Sequence, residues 1–184
     1  QNSMVRVFVA WELPKASTLR LLEWQDRLIA HFGNDRFRPI PAANLHLTAL
    51  FVGPASPDWI KAIHQAISGP SVPTGPGTSL MVNCSHVDAF PSRSNSRILV
   101  ARLSDPDGGL SGLQRQLAAA LATSNVVFDN RPFVPHVTLA KLATGATAPI
   151  ERDWDRLEAE IPFGISLEYL PVLFSSRNGP HGVE

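Results

Sequence analysis

Leu45-His46-Leu47-Thr48-Ala49-Leu50 and Pro135-His136-Val137-Thr138-Leu139-Ala140 follow one plan, an imidazole and then a hydroxyl two residues on, each in an apolar frame. The copies stand 90 residues apart, about half of the 184-residue chain. Apolar runs bounded by Gly and Pro predict strands over Leu45 to Val52, closed by Gly53-Pro54, and over Phe133 to Leu142. Alternate side chains of a strand share a face, so His46 and Thr48 lie together with their Cα atoms about 7 Å apart. Leu47, Ala49 and Phe51 then take the core face, as do Val137 and Leu139 opposite His136 and Thr138. Each motif face runs on into apolar residues (Leu50 and Val52; Ala140 and Leu142) instead of the charged surface a half-buried strand usually shows to water. A polar pair on such a partly enclosed face needs hydrogen-bonding partners or a ligand to offset its desolvation.

Working outward, Val5 to Leu13 reads as a strand closed by Pro14. Lys15 to Phe32 reads as a helix, with Leu21, Trp24, Leu28 and Phe32 on one stripe and Gly33-Asn34 as its stop. Asp58 to Ser68 is a second helix through Ile60, Ile63 and Ile67, followed by a Pro/Gly-rich loop from Gly69 to Gly77. Leu80 to Phe90 and Ile98 to Leu103 predict strands joined by a polar loop, Pro91 to Asn95. Asp105-Pro106-Asp107-Gly108 is a turn, and Leu110 to Leu121 a helix with Leu110, Leu113, Leu117 and Leu121 in line. Ile150 to Glu160 is a sparse helical pattern, and Ile165 to Phe174 predicts a last strand. Strands and helices mixed with hairpin-like links indicate an α+β fold of antiparallel sheets covered by outer helices. A doubly wound parallel sheet is rejected, because Glu12-Leu13-Pro14-Lys15 offers no Gly-rich phosphate loop after the first strand.

Composition narrows the function classes. The chain is 44% hydrophobic and 17% charged, typical of a folded domain, and 16 basic residues balance 16 acidic ones. Proteins that coat duplexes carry a basic excess to displace counterions, so any nucleic-acid contact here is expected to be short and local. Thirteen basic residues are Arg and three are Lys (Lys15, Lys61 and Lys141). Cys84 is the only cysteine, which excludes an internal disulfide and a cysteine metal cluster; its β-like surroundings suggest a buried, inert thiol. No apolar run approaches the roughly 20 residues of a membrane helix. A cytoplasmic monomer is expected. It would form a single domain over residues 4–184, with Gln1-Asn2-Ser3 a cloning remnant.

Two imidazoles and two hydroxyls suit the opening of a strained cyclic phosphodiester with no metal or cofactor. A neutral His takes a proton from water, and a protonated His gives one to the leaving ribose oxygen. Histidine's ordinary pKa of about 6.5 lets both forms exist near neutrality. The Thr48 and Thr138 hydroxyls can donate to phosphate oxygens as charge builds there.

The chain resembles the 2H phosphoesterase superfamily, in its RNA 2′,3′-cyclic phosphodiesterase or 2′-5′ RNA ligase branch. The resemblance rests on Arg6-Val7-Phe8-Val9-Ala10 with Leu13-Pro14; on Asn44-Leu45-His46-Leu47-Thr48 with Phe51-Val52-Gly53; on Phe90-Pro91 and Arg97-Ile98-Leu99-Val100; and on Phe133-Val134-Pro135-His136-Val137-Thr138-Leu139. It implies two pseudo-symmetric lobes facing each other across a central cleft, each an antiparallel sheet with outer helices and each giving one His-x-Thr. It also implies hydrolysis of RNA 2′,3′-cyclic phosphate ends to 2′-phosphates, with some members joining RNA ends reversibly through 2′-5′ bonds. By that analogy His136 is the base and His46 the acid, although the near-symmetry of the motifs leaves the assignment open on sequence. Where the family often has Arg five residues after the second His, this chain has Lys141. Lysine keeps the charge without the bidentate fork. Strict alternation would also turn Lys141 away from His136 unless a bulge re-aims it.

The other histidines read blandly: His31 at a helix end, His64 on a helix face, His86 on a strand that could edge the cleft, and His181 in a Gly/Pro-rich tail. No ligand spacing suggests zinc. Phe90, Phe133 and Trp11 are candidates to stack on a base, with core packing the competing role. The rivals to an RNA-end phosphodiesterase are a non-catalytic nucleotide or RNA-end binding module, and an enzyme acting on another small cyclic or 2′-5′ phosphodiester.

Overall fold

A computed structural model describes residues 4–69 and 79–176, and the backbone of 178–179 and 182–183. Most of the Gly69 to Gly77 loop, the first three residues and His181 lie outside the described residues. Eight strands make the main sheet: β1 (Val5–Glu12), β2 (Phe37–Pro39), β3 (His46–Ala55), β4 (Leu80–Ser92), β5 (Asn95–Ser104), β6 (His136–Leu142), β7 (Phe163–Leu167) and β8 (Val172–Ser176). Four helices accompany them: α1 (Lys15–Phe32), α2 (Pro57–Ser68), α3 (Gly109–Thr123) and α4 (Glu151–Asp155). The sheet runs β7-β4-β5-β6-β3-β1-β8, with β2 paired to β6, and every pairing is antiparallel. The α+β reading holds. The two motif strands, β3 and β6, meet at a single register pair, Leu47 opposite Val137, beside both motif histidines.

The helical stripes bury as their spacing predicts. Leu21, Trp24, Leu28 and Phe32 of α1 are buried, as are Leu110, Leu113, Leu117 and Leu121 of α3. Gly33 ends α1 at φ 104°, a conformation that suits glycine. Helix α2 opens on Ser56, whose hydroxyl accepts from the Trp59 backbone N–H. Cys84 is fully buried, and that burial raises its thiol pKa to about 12, so it is a packing residue.

Several boundaries differ from the sequence reading. Strand β3 does not stop at Gly53-Pro54 but passes through to Ala55. Gly53 takes φ 87° and the ladder slips between Val7 and Phe8, a bulge at which proline is tolerated. The polar loop between β4 and β5 is a tight hairpin, with Ser92 opposite Asn95. Strand β6 starts only at His136, since Pro132 and Pro135 have no N–H to give a ladder. The stretch Ile165 to Phe174 is two strands on opposite edges of the sheet, β7 beside β4 and β8 beside β1, with Pro171 between them. The last helix covers only Glu151–Asp155, with Trp154 its one buried residue.

A matched pair of bulges shapes the centre. Between Val9 and Ala10 of β1 the partner steps from Leu50 to Thr48, leaving Ala49 as the extra residue. Between Leu99 and Val100 of β5 the partner steps from Ala140 to Thr138, leaving Leu139. Both extra residues stand three positions after a motif histidine. A bulged residue drops out of the ladder, and its buried carbonyl needs another donor. The Gln114 side chain of α3 donates to the Ala49 carbonyl at 3.2 Å, and that of Gln25 in α1 donates to the Leu139 carbonyl at 2.8 Å and to that of Ile40 at 2.8 Å. Each half thus sends a helix to hold the other half's motif strand.

Candidate active site

The sheet presents both motifs to one cavity of about 1080 Å³, lined among others by His46, Thr48, His136, Thr138 and Lys141. Leu47 and Val137, between each His and Thr, are fully buried on the opposite face. Alternation therefore works through the motifs as expected and fails just beyond them. The bulge at Ala49 puts Phe51 opposite Phe8 and on its face. Phe51 is 53% exposed and lines the cavity, which corrects its placement in the core. The bulge at Leu139 acts likewise on Lys141, turning it toward the cavity where Leu142 would otherwise continue the face. Phe51 and Lys141 are thus equivalent positions, an aromatic in one half and a cation in the other.

The His136 ring is held by its backbone. Its Nδ1 lies 2.7 Å from the Val134 carbonyl. A carbonyl only accepts, so Nδ1 carries the proton and the neutral ring has its lone pair on Nε2. Phe90 meets the ring edge-on at 4.9 Å. Burial lowers the His136 pKa most; the Val134 hydrogen bond works against this, and the Arg102 charge adds to the lowering. His46 stacks on Phe174 at 4.5 Å and lies 5.7 Å from Phe8. Burial lowers its pKa too, while Glu12 pulls it up.

Of the aromatic candidates, Phe90 and Phe133 line the cavity. Trp11 does not belong there: it is fully buried and its indole donates to the Tyr169 carbonyl at 3.2 Å. The sequence reading missed Phe8, Phe51 and Phe174, which form an aromatic wall beside His46. It also missed Asp129 and Arg131 at the cavity rim, where Asp129 accepts from the Arg131 Nε at 3.0 Å and its pKa is lowered by those hydrogen bonds. His86 bonds Ser85 at 2.9 Å, away from the cavity lining, and His31 reaches the Asp153 carbonyl at 2.6 Å. Among the described residues no three His, Cys, Asp or Glu side chains converge as metal ligands, and no helix is long and apolar enough to cross a membrane.

The chain is similar to several known proteins. The RNA 2′,3′-cyclic phosphodiesterase of Escherichia coli (strain K12) is 32% identical over 141 residues, covering 77% of this chain and 74% of that protein. Escherichia coli LigT complexed with 3′-AMP superposes with a TM-score of 0.71 at 23% identity, over 99% of this chain and 94% of that one. TT0787 of Thermus thermophilus gives 0.70 at 23% identity, over 97% and 92%. Both structures share the fold. The family model of the 2′-5′ RNA ligase superfamily matches residues 14–173, and this chain belongs to that phosphoesterase family.

Proposed function

We propose that the protein hydrolyses 2′,3′-cyclic phosphate ends of RNA to 2′-phosphates by histidine general acid–base catalysis. The observation that carries this reading is the convergence of two His-x-Thr pairs on one cavity. His136 is the base: its Nδ1–H is committed to Val134, which leaves Nε2 free to take a proton from water. His46 is the acid that protonates the departing 3′-oxygen. Thr48 and Thr138 donate to the phosphate oxygens, and Lys141 adds a cation at the cavity edge. The name of the Escherichia coli relative and the 3′-AMP held by LigT support a ribose phosphate as the ligand. Joining of RNA ends would be the same ring opening with an RNA 5′-hydroxyl in place of water as nucleophile: the new P–O bond makes the 2′-5′ diester, and the 3′-oxygen leaves with a proton.

The test is hydrolysis of an oligoribonucleotide ending in a 2′,3′-cyclic phosphate, assayed beside a 2′-5′ dinucleotide. The expected product is the 2′-phosphate. Binding without turnover would favour a nucleotide-binding module, and preference for the dinucleotide would favour a different phosphodiester. Two imidazoles suffice for both proton transfers, so activity is expected to survive dialysis against a chelator. Loss restored by one particular divalent ion would overturn the metal-free mechanism.

Lys141→Ala should lower kcat/KM roughly 10-fold, the scale of one charge-assisted hydrogen bond, with Lys141→Arg tolerated. Unchanged kinetics in the alanine variant would return Lys141 to the solvated rim.

A further inference from the structure

Register carries a second correspondence between the halves. Ala10 lies opposite Thr48 and Val100 opposite Thr138; two residues on, Glu12 lies opposite His46 and Arg102 opposite His136. Direct cross-strand partners share a face, so each motif imidazole has one charged neighbour at the equivalent position, and the two charges are opposite. Arg102 is fixed there: it pairs with Asp88 at 3.2 Å and lies over Phe90 at 5.5 Å, the ring that meets His136 edge-on. Other charged groups on the surrounding elements are Arg6 on β1, Arg38 on β2, Arg93 and Arg97 about the β4–β5 hairpin, Lys141 on β6, and Asp129 with Arg131 at the rim. Asp129 and Arg131 are paired with each other, as are Arg93 and Asp88.

We infer that Glu12 and Arg102 are positioning residues that divide the proton-transfer roles between two histidines at equivalent strand positions. Glu12 favours the protonated imidazole at position 46 and so makes it the acid. Arg102 favours the neutral imidazole at position 136 and so makes it the base. Neither side chain needs to touch the substrate. This rests on the two-histidine mechanism proposed above, and adds to it the reason that nearly identical motifs take opposite parts.

The experiment is the pH profile of kcat/KM on the cyclic-phosphate oligoribonucleotide for Glu12→Gln and Arg102→Gln. It is read together with NMR titration of the imidazole Cε1–H signals, assigned with His46→Ala and His136→Ala. Without the Arg102 charge, His136 holds its proton to higher pH, so the acid-side limb should move up. Without the Glu12 charge, His46 gives up its proton at lower pH, so the alkaline-side limb should move down. Each displacement should be about half a pH unit, or about threefold in rate along that limb, the scale of one unit charge across partly hydrated ground. Arg102→Lys and Glu12→Asp should restore the limbs. A uniform fall across all pH values, or limbs moving the other way, would overturn the inference. Glu12 is exposed at a strand end, so its variant keeps the test decisive even if Arg102→Gln loses the Asp88 pair and unfolds. If the histidine variants remain active, the underlying mechanism is wrong; if they are inactive but the limbs stay put, only this inference fails.

Discussion

Alanine at His46 or His136 should lower kcat/KM by at least about 100-fold while the protein stays folded. Each imidazole faces the cavity and neither is part of the buried core, which on this stretch is made by Leu47 and Val137. The double variant should lose less than the product of the single losses, because acid and base act as one unit. The wild-type profile of kcat/KM should be bell-shaped, with limbs that report the pair and not single residues. Burial lowers both histidines from the ordinary value of 6.5, so in the free enzyme the bell should sit on the acid side of that value. Near-wild-type turnover by either folded alanine variant would refute the mechanism. A bell centred well above 6.5 would instead contradict the burial of the pair.

Gln25→Met and Gln114→Met should each destabilise the protein by about 1–3 kcal/mol, the cost of leaving a buried polar group unpaired. Methionine keeps the length of the side chain but cannot donate, so the change isolates the hydrogen bond. Gln25→Met takes the side-chain donor from the Ile40 carbonyl, while the Leu139 carbonyl keeps a bond from the Ile40 N–H at 2.9 Å; Gln114→Met takes the side-chain donor from the Ala49 carbonyl. For a domain of this size such a loss lowers Tm by about 2–4 °C per kcal/mol. The exposed Gln65 on α2 is the control, and its methionine variant should stay within about 0.5 kcal/mol. An unchanged Tm in Gln114→Met would show that the Ala49 bulge carbonyl finds its partner elsewhere.

The motif repeat led directly to the residues that share the cavity, because alternation within a strand is a local property of three residues. The helices were equally legible from their leucine stripes. What lay hidden was long-range. A bulge looks like any apolar strand residue until the partner strand is known, so the turn of Phe51 and Lys141 into the cavity could not be read at Ala49 or Leu139. One signal was present and went unread: Leu21, Gln25, Leu28 and Phe32 repeat the spacing of Leu110, Gln114, Leu117 and Leu121. A glutamine at the same step of two apolar stripes marks a buried polar group with an appointed partner. The division of Ile165 to Phe174 between opposite edges of the sheet is of the hidden kind too, since Pro171 marks a break but not the distance the chain then travels.

The single register pair between the two motif strands also bears on the dimensions of the site. His46 and His136 each stand one residue from it, so only a few backbone steps separate them across the junction. A junction this short works as a caliper, and substrate should find the two imidazoles near each other with little of the ordering that a closing cleft demands. Such a gauge should tolerate change in distant loops but not a residue inserted between histidine and junction, since one step would turn the imidazole to the other face.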